Sequence, residues 1–195
     1  MSRKTEATSC TEALRAFEQK SGESPFTAKH LKLWFQKPPI MDMTDVLSKC
    51  KECVQLSLST NAIRRIDSIS GMDKLEILSL SRNNIRKIEN LSGVAGTLKE
   101  LWISYNHIDS THGVEELTSL KVFCAGNNKI DKWPEITRLA TLPALEELYL
   151  VGNPIEIRES ESKTWRTKVL KQLPKLKKLD GIPVTVEELE AAGVL

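Results

Sequence analysis

The chain has 195 residues, 40% of them hydrophobic, and 28 Lys and Arg against 26 Asp and Glu for a formal net charge of +2. That length and apolar content support a buried core, while the near balance of charge argues against a dedicated nucleic-acid or membrane-surface binder. No apolar run nears the roughly 18 residues that span a bilayer, and Met1 to Glu6 lacks the apolar stretch of a secretory signal, so a soluble protein of a reducing compartment is expected.

In chain order, residues 1–29 read as a capping helix and linker. Ser9 and Glu12 form a capping box that opens a helix to about Lys20, Leu14 and Phe17 share one face, and Gly22 stops it. Leucine is in excess, 25 of 195 residues or about 13%, which directs attention to repeats. HLKLWFQKPPI (30 to 40) is a degenerate first turn, with Gln36 where asparagine belongs. Five consecutive matches to L-x-x-L-x-L-x-x-N-x-I follow: CVQLSLSTNAI (53 to 63), LEILSLSRNNI (75 to 85), LKELWISYNHI (98 to 108), LKVFCAGNNKI (120 to 130) and LEELYLVGNPI (145 to 155). Their asparagines, Asn61, Asn83, Asn106, Asn128 and Asn153, lie 22, 23, 22 and 25 residues apart. The array thus occupies 30–161, with a C-terminal cap over 162–184 and a short terminal helix in 185–195.

This periodicity predicts an α/β leucine-rich-repeat solenoid, with short parallel strands on its concave face and helices over both ends. A lone turn cannot bury its own apolar face, so each is covered by its neighbours. Leu56 and Leu58, and their counterparts down to Leu148 and Leu150, point inward. Asparagine recurs because its amide donates and accepts at once, which suits backbone groups trapped between turns. The returns at 67–74, 89–97 and 109–119 leave room only for 3₁₀ or brief helical turns. The longer return at 131–144 shows Ile136, Leu139 and Leu142 at helical spacing. SKTWRTKVLKQL (162 to 173) reads as an amphipathic lid, and Thr185 with Glu188 caps the last helix.

Catalytic chemistry finds little support. Cys50 and Cys53 spell C-x-x-C, yet Cys53 occupies an apolar template position and no second ligand pair completes a zinc site. The four cysteines (with Cys10 and Cys124) are too irregular for a disulfide framework. His107 and His112 flank Asp109 without any nucleophile, glycine-rich phosphate loop or paired carboxylates. Neither enzyme, cofactor nor metal is expected.

Strand alternation lists the outward residues instead. The central rungs are Ser57, Ser79, Trp102, Cys124 and Tyr149. Two residues earlier stand Gln55, Ile77, Glu100, Val122 and Glu147; two residues later stand Ser59, Ser81, Ser104, Gly126 and Val151, with Thr60, Arg82, Tyr105, Asn127 and Gly152 beside them. Trp102, Tyr105, Val122, Tyr149 and Val151 are expected to gather as an apolar and aromatic patch ringed by Glu100, Glu147 and Arg82. Five strands at about 4.8 Å make a face roughly 20 to 25 Å wide, the scale of one side of a protein interface. A second feature is a basic edge of Arg64, Arg65, Arg86 and Lys87, next to Arg82.

LSLSTNAI, LSLSRNNIRKIENL, TLKELWISYNHI and PKLKKLDGIPV strongly resemble the leucine-rich-repeat light chains of axonemal outer-arm dynein, within the phosphatase-regulator type of 22-residue repeats. The resemblance covers nearly the whole chain. It implies a non-catalytic, monomeric subunit of a larger complex in the cytoplasm, on the cytoskeleton of a cilium or flagellum. Its implied partner is a dynein heavy chain, bound near the microtubule-binding region to modulate motility, with tubulin as a further contact. The family's apolar patch maps onto Trp102, Tyr105 and Tyr149. One departure stands out: members can carry arginines in the tail, whereas here no Lys or Arg follows Lys178, and Glu187, Glu188 and Glu190 do. The alternative is a regulatory or scaffolding subunit of a phosphatase or nuclear ribonucleoprotein complex.

Overall fold

The computed structural model describes residues 7–195, so residues 1–6 of the first segment and the reading made for them lie outside the described residues. The helix α1 (Cys10–Ser21) starts at the Ser9/Glu12 capping box and ends on Gly22, at φ 73°. Its Cys10, Ala13 and Leu14 are buried and seal the first turn. The strands β1 (His30–Lys32), β2 (Gln55–Ser57), β3 (Ile77–Ser79), β4 (Glu100–Trp102), β5 (Val122–Cys124), β6 (Glu147–Tyr149) and β7 (Lys178–Leu179) form one parallel ladder in sequence order, which β8 (Ile182–Pro183) ends antiparallel. The register places Leu31, Leu56, Leu78, Leu101, Phe123, Leu148 and Leu179 in a continuous inner row, and every one is buried. The degenerate repeat is therefore a true first rung.

The asparagines bind turn to turn. Asn106 shows the pattern: its Oδ1 accepts from Ile85 N of the preceding turn at 2.9 Å, and its Nδ2 donates to Leu80 O and Ile103 O at 3.0 and 2.9 Å. Asn83, Asn128 and Asn153 repeat it, and Asn61 does so against Ile40 N, Leu33 O and Leu58 O. Asn61 is only half-buried, because the turn before it is the short, irregular one. The returns hold single 3₁₀ turns at Leu47–Lys49 and Ser92–Val94 and helix α2 (Trp133–Leu139) in the long one, with Ile136 and Leu139 buried, while 67–74 and 109–119 pass in turns and bends without a 3₁₀ or helical segment. Close stacking shows at Gly113 (φ 98°), where a Cβ would stand 2.1 Å from Ile88 O.

The C-terminal lid has more parts than the sequence pattern predicts. Helix α3 (Pro154–Glu161) precedes α4 (Trp165–Gln172), and α5 (Val186–Ala191) packs on α4 behind its Thr185/Glu188 capping box. Asp180 ties the lid to the array: its Oδ1 accepts from Leu150 N (2.6 Å) and Val151 N (2.9 Å), and its Oδ2 from Trp165 Nε1 (2.7 Å). Burial still pushes its carboxyl above the usual aspartate range, against those three donors. Arg166 clasps α5 through Glu188 and β7 through the carbonyl of Leu179.

Candidate protein-binding face

The outer side of the sheet is where side chains are free to differ between rungs. On β4, Trp102 is 38% exposed and its Nε1 donates to Glu100 Oε2 at 2.9 Å. Two rungs on, the Tyr149 hydroxyl donates to Glu147 Oε2 at 3.0 Å, and Lys178 Nζ clamps the same carboxylate at 3.1 Å. In both cases ring and carboxylate sit two residues apart on one strand, so alternation puts them on the same face. Partial burial and the Glu147 bond raise the Tyr149 hydroxyl above its ordinary value, while the Glu147 carboxylate raises the Lys178 ammonium. The face thus presents ring planes with their polar ends already satisfied.

Tyr105, three residues past Trp102, is 48% exposed, with the Arg82 guanidinium 4.2 Å from its ring centre. Thr60, Arg82, Tyr105 and Asn127 all turn left-handed, at φ 53° to 58°, as does Gly152 at 79°. Val151 is half exposed and Val122 half-buried. Cys124 corrects the outward list. In register between Trp102 and Tyr149, it is only 3% exposed, because two large neighbours about 4.8 Å to either side overhang a small side chain. Burial pushes its thiol up to about 12.

Two exposed apolar clusters escape the alternation reading made from five repeats. Trp34 and Phe35 extend the face at its first rung, each about half exposed, with Lys37 Nζ 4.5 Å from the Phe35 ring centre. The template does carry that information once β1 is counted as a strand. Ile182, 57% exposed on β8, extends the other end beside Val151.

His112 Nδ1 pairs with Glu115 at 2.7 Å rather than with Asp109. Cys53 is buried and its thiol donates to Gln55 O; burial lifts Cys50 to about 11 and Cys53 to about 12. Among the described residues, no three His, Cys, Asp or Glu side chains are grouped as metal ligands, and no helix is long and apolar enough to cross a membrane.

A parallel ladder with an asparagine rung in each of five consecutive turns and a variable outer face defines a leucine-rich-repeat protein. Solved structures agree: the chain superimposes on a Drosophila melanogaster SNF/U2A′ complex chain with a TM-score of 0.67, 23% identity and coverage of 79% of this chain and 91% of that one. A leucine-rich-repeat protein of Leptospira interrogans gives 0.64, 24% identity, and coverage of 78% and 37%. At these identities the likeness is one of fold. No family model matches the chain. Relatives are more specific: the chain is 49% identical to dynein axonemal light chain 1 of Chlamydomonas reinhardtii over 191 residues (96% of each), and 46% identical to its namesake in Homo sapiens over 178 residues (91% of this chain, 94% of that one). The chain belongs to the dynein axonemal light chain 1 family, whose place is the axonemal cytoskeleton of cilia and flagella.

Proposed function

We propose that this chain is a non-catalytic, monomeric light chain that grips the heavy chain of an outer-arm dynein near its microtubule-binding region and modulates ciliary motility. The grip is the sheet face: Trp102, Tyr105 and Tyr149 as anchors, Val122 and Val151 between them, and Glu100, Glu147 and Arg82 as the polar rim. The supporting observation is the pairing of two outward rings, Trp102 exposed and Tyr149 half-buried, with carboxylates on their own strands. A tryptophan or tyrosine held in place loses little side-chain entropy on binding, which suits it as an interface anchor. Modulation then requires that the light chain bind two states of the motor with different affinity. With Glu188 held by Arg166, Glu187 and Glu190 leave α5 acidic and without a cation of its own to offer acidic tubulin, so the microtubule contact falls to the heavy chain.

The test is a binding titration of the full chain against the heavy-chain segment that holds the microtubule-binding region. Trp102→Ala with Tyr149→Ala should weaken binding by at least about 2 kcal/mol, roughly thirtyfold, with an unaltered circular-dichroism spectrum. Equal affinity in the double variant rejects the face. Recovery from cilia with a phosphatase or ribonucleoprotein in place of dynein heavy chain would favour the scaffolding alternative.

A further inference from the structure

The edge formed by the turns after β2 and β3 concentrates charge that neither the sheet nor the core uses. Arg64 and Arg65 follow Ile63, whose N–H is held by Asn83, and Arg86 and Lys87 follow Ile85, held by Asn106. The asparagine rungs therefore fix two basic pairs one turn apart, about 4.8 Å along the stack. All four side chains are exposed, and with Asn84, Glu89 and His107 they line an open groove of about 770 Å³. Arg65 pairs with Glu89 at 3.2 Å; among the described residues, Arg64, Arg86 and Lys87 make no ion pair. Four cations less one carboxylate leave +3 in this groove, against +2 for the whole chain. The same positions one and two turns later hold Asp109 and Ser110, then Asp131 and Lys132, so the charge belongs to these two turns and not to the repeat template. Like charges stacked on adjacent turns repel and are a net cost unless an anion neutralises them.

We propose that this groove docks an acidic, extended segment of a partner polypeptide, with several Asp or Glu residues in succession. Its form selects that occupant over a single phosphate group. The donors are long, solvated side chains spread along a wide groove, whereas a phosphate site gathers fixed N–H groups around one point. Alternate residues of an extended chain lie roughly 6.6 Å apart on one face, within reach of side chains as long as arginine set one turn apart. The site is separate from the sheet face and stands whether or not that face holds the motor.

The probe is a fluorescein-labelled octaglutamate peptide, titrated by anisotropy with the full chain at about 50 and about 200 mM salt, on either side of strong screening. Saturable binding is expected, weakened roughly tenfold by the higher salt and at least tenfold by Arg64→Glu with Arg86→Glu. Arg64→Gln with Arg86→Gln should lose less, and Trp102→Ala with Tyr149→Ala nothing. No saturable binding at low salt, or equal binding by the charge-reversed variant with native circular dichroism, overturns the proposal. So does displacement by inorganic phosphate beyond that of chloride at matched ionic strength, which would mark a small-anion site.

Discussion

The inner and outer sides of the same strands follow opposite rules. Inside, Leu56, Leu78, Leu101 and Leu148 repeat almost unchanged, and each asparagine makes the same three bonds. Outside, the central rung passes from serine at 57 and 79 to tryptophan at 102, a covered cysteine at 124 and tyrosine at 149. A rung that must fit the turn above and below has one good solution. A side chain facing water answers only to what it touches there, so variation on that face carries the functional information.

That contrast can be broken in four ways. Asn106→Ala strikes the inner side, leaving Ile85 N–H unpaired and Leu80 O and Ile103 O with one donor each, from Asn83 and Asn128; it should cost about 3 kcal/mol in urea denaturation while the surviving folded protein binds normally. The ring double variant does the reverse, losing about 2 kcal/mol of binding and little stability. A smaller effect comes from the buried thiols. Cys53 and Cys124 are held up to about 12, against a usual 9.0, so the folded chain keeps protons that the unfolded chain releases. Stability should then fall as pH rises past about 9, by on the order of 1 kcal/mol for each thiol by pH 10, and these thiols should resist alkylation at pH 8 until denaturant is added. Smallest is Arg82→Ala, which removes the stack on Tyr105 and should lower stability by about 0.5 kcal/mol. A large loss there would mean the outer face supports the fold after all.

Sequence pattern conveyed the inner side almost entirely, because period and capping chemistry are local. The array, α1, α2, α4 and α5 follow from leucine spacing and from Ser9/Glu12 and Thr185/Glu188. Helix α3 is hidden because PIEIRESE buries only Ile155 and Glu159 and looks like one more return; Pro154 at its first turn was the available signal. Glu159 is held by Lys168 and Thr164 and lies below the usual carboxylate range through those bonds, contacts nine and five residues ahead that no period encodes. On the outer face, alternation assigns the side of each residue but not its shadowing, hence Cys124. Trp34 needed β1 to be recognised as a rung.

Strand β8 decides where the stack closes. Each asparagine reaches back to the turn before it, so a further turn would ask nothing of the last one except the open edge of its strand. On β7 that edge is occupied, because β8 folds back along it antiparallel through Lys178 with Pro183 and Leu179 with Ile182. A turn added behind β7 would first have to peel β8 away, whereas one inserted between two asparagine rungs leaves both lids seated.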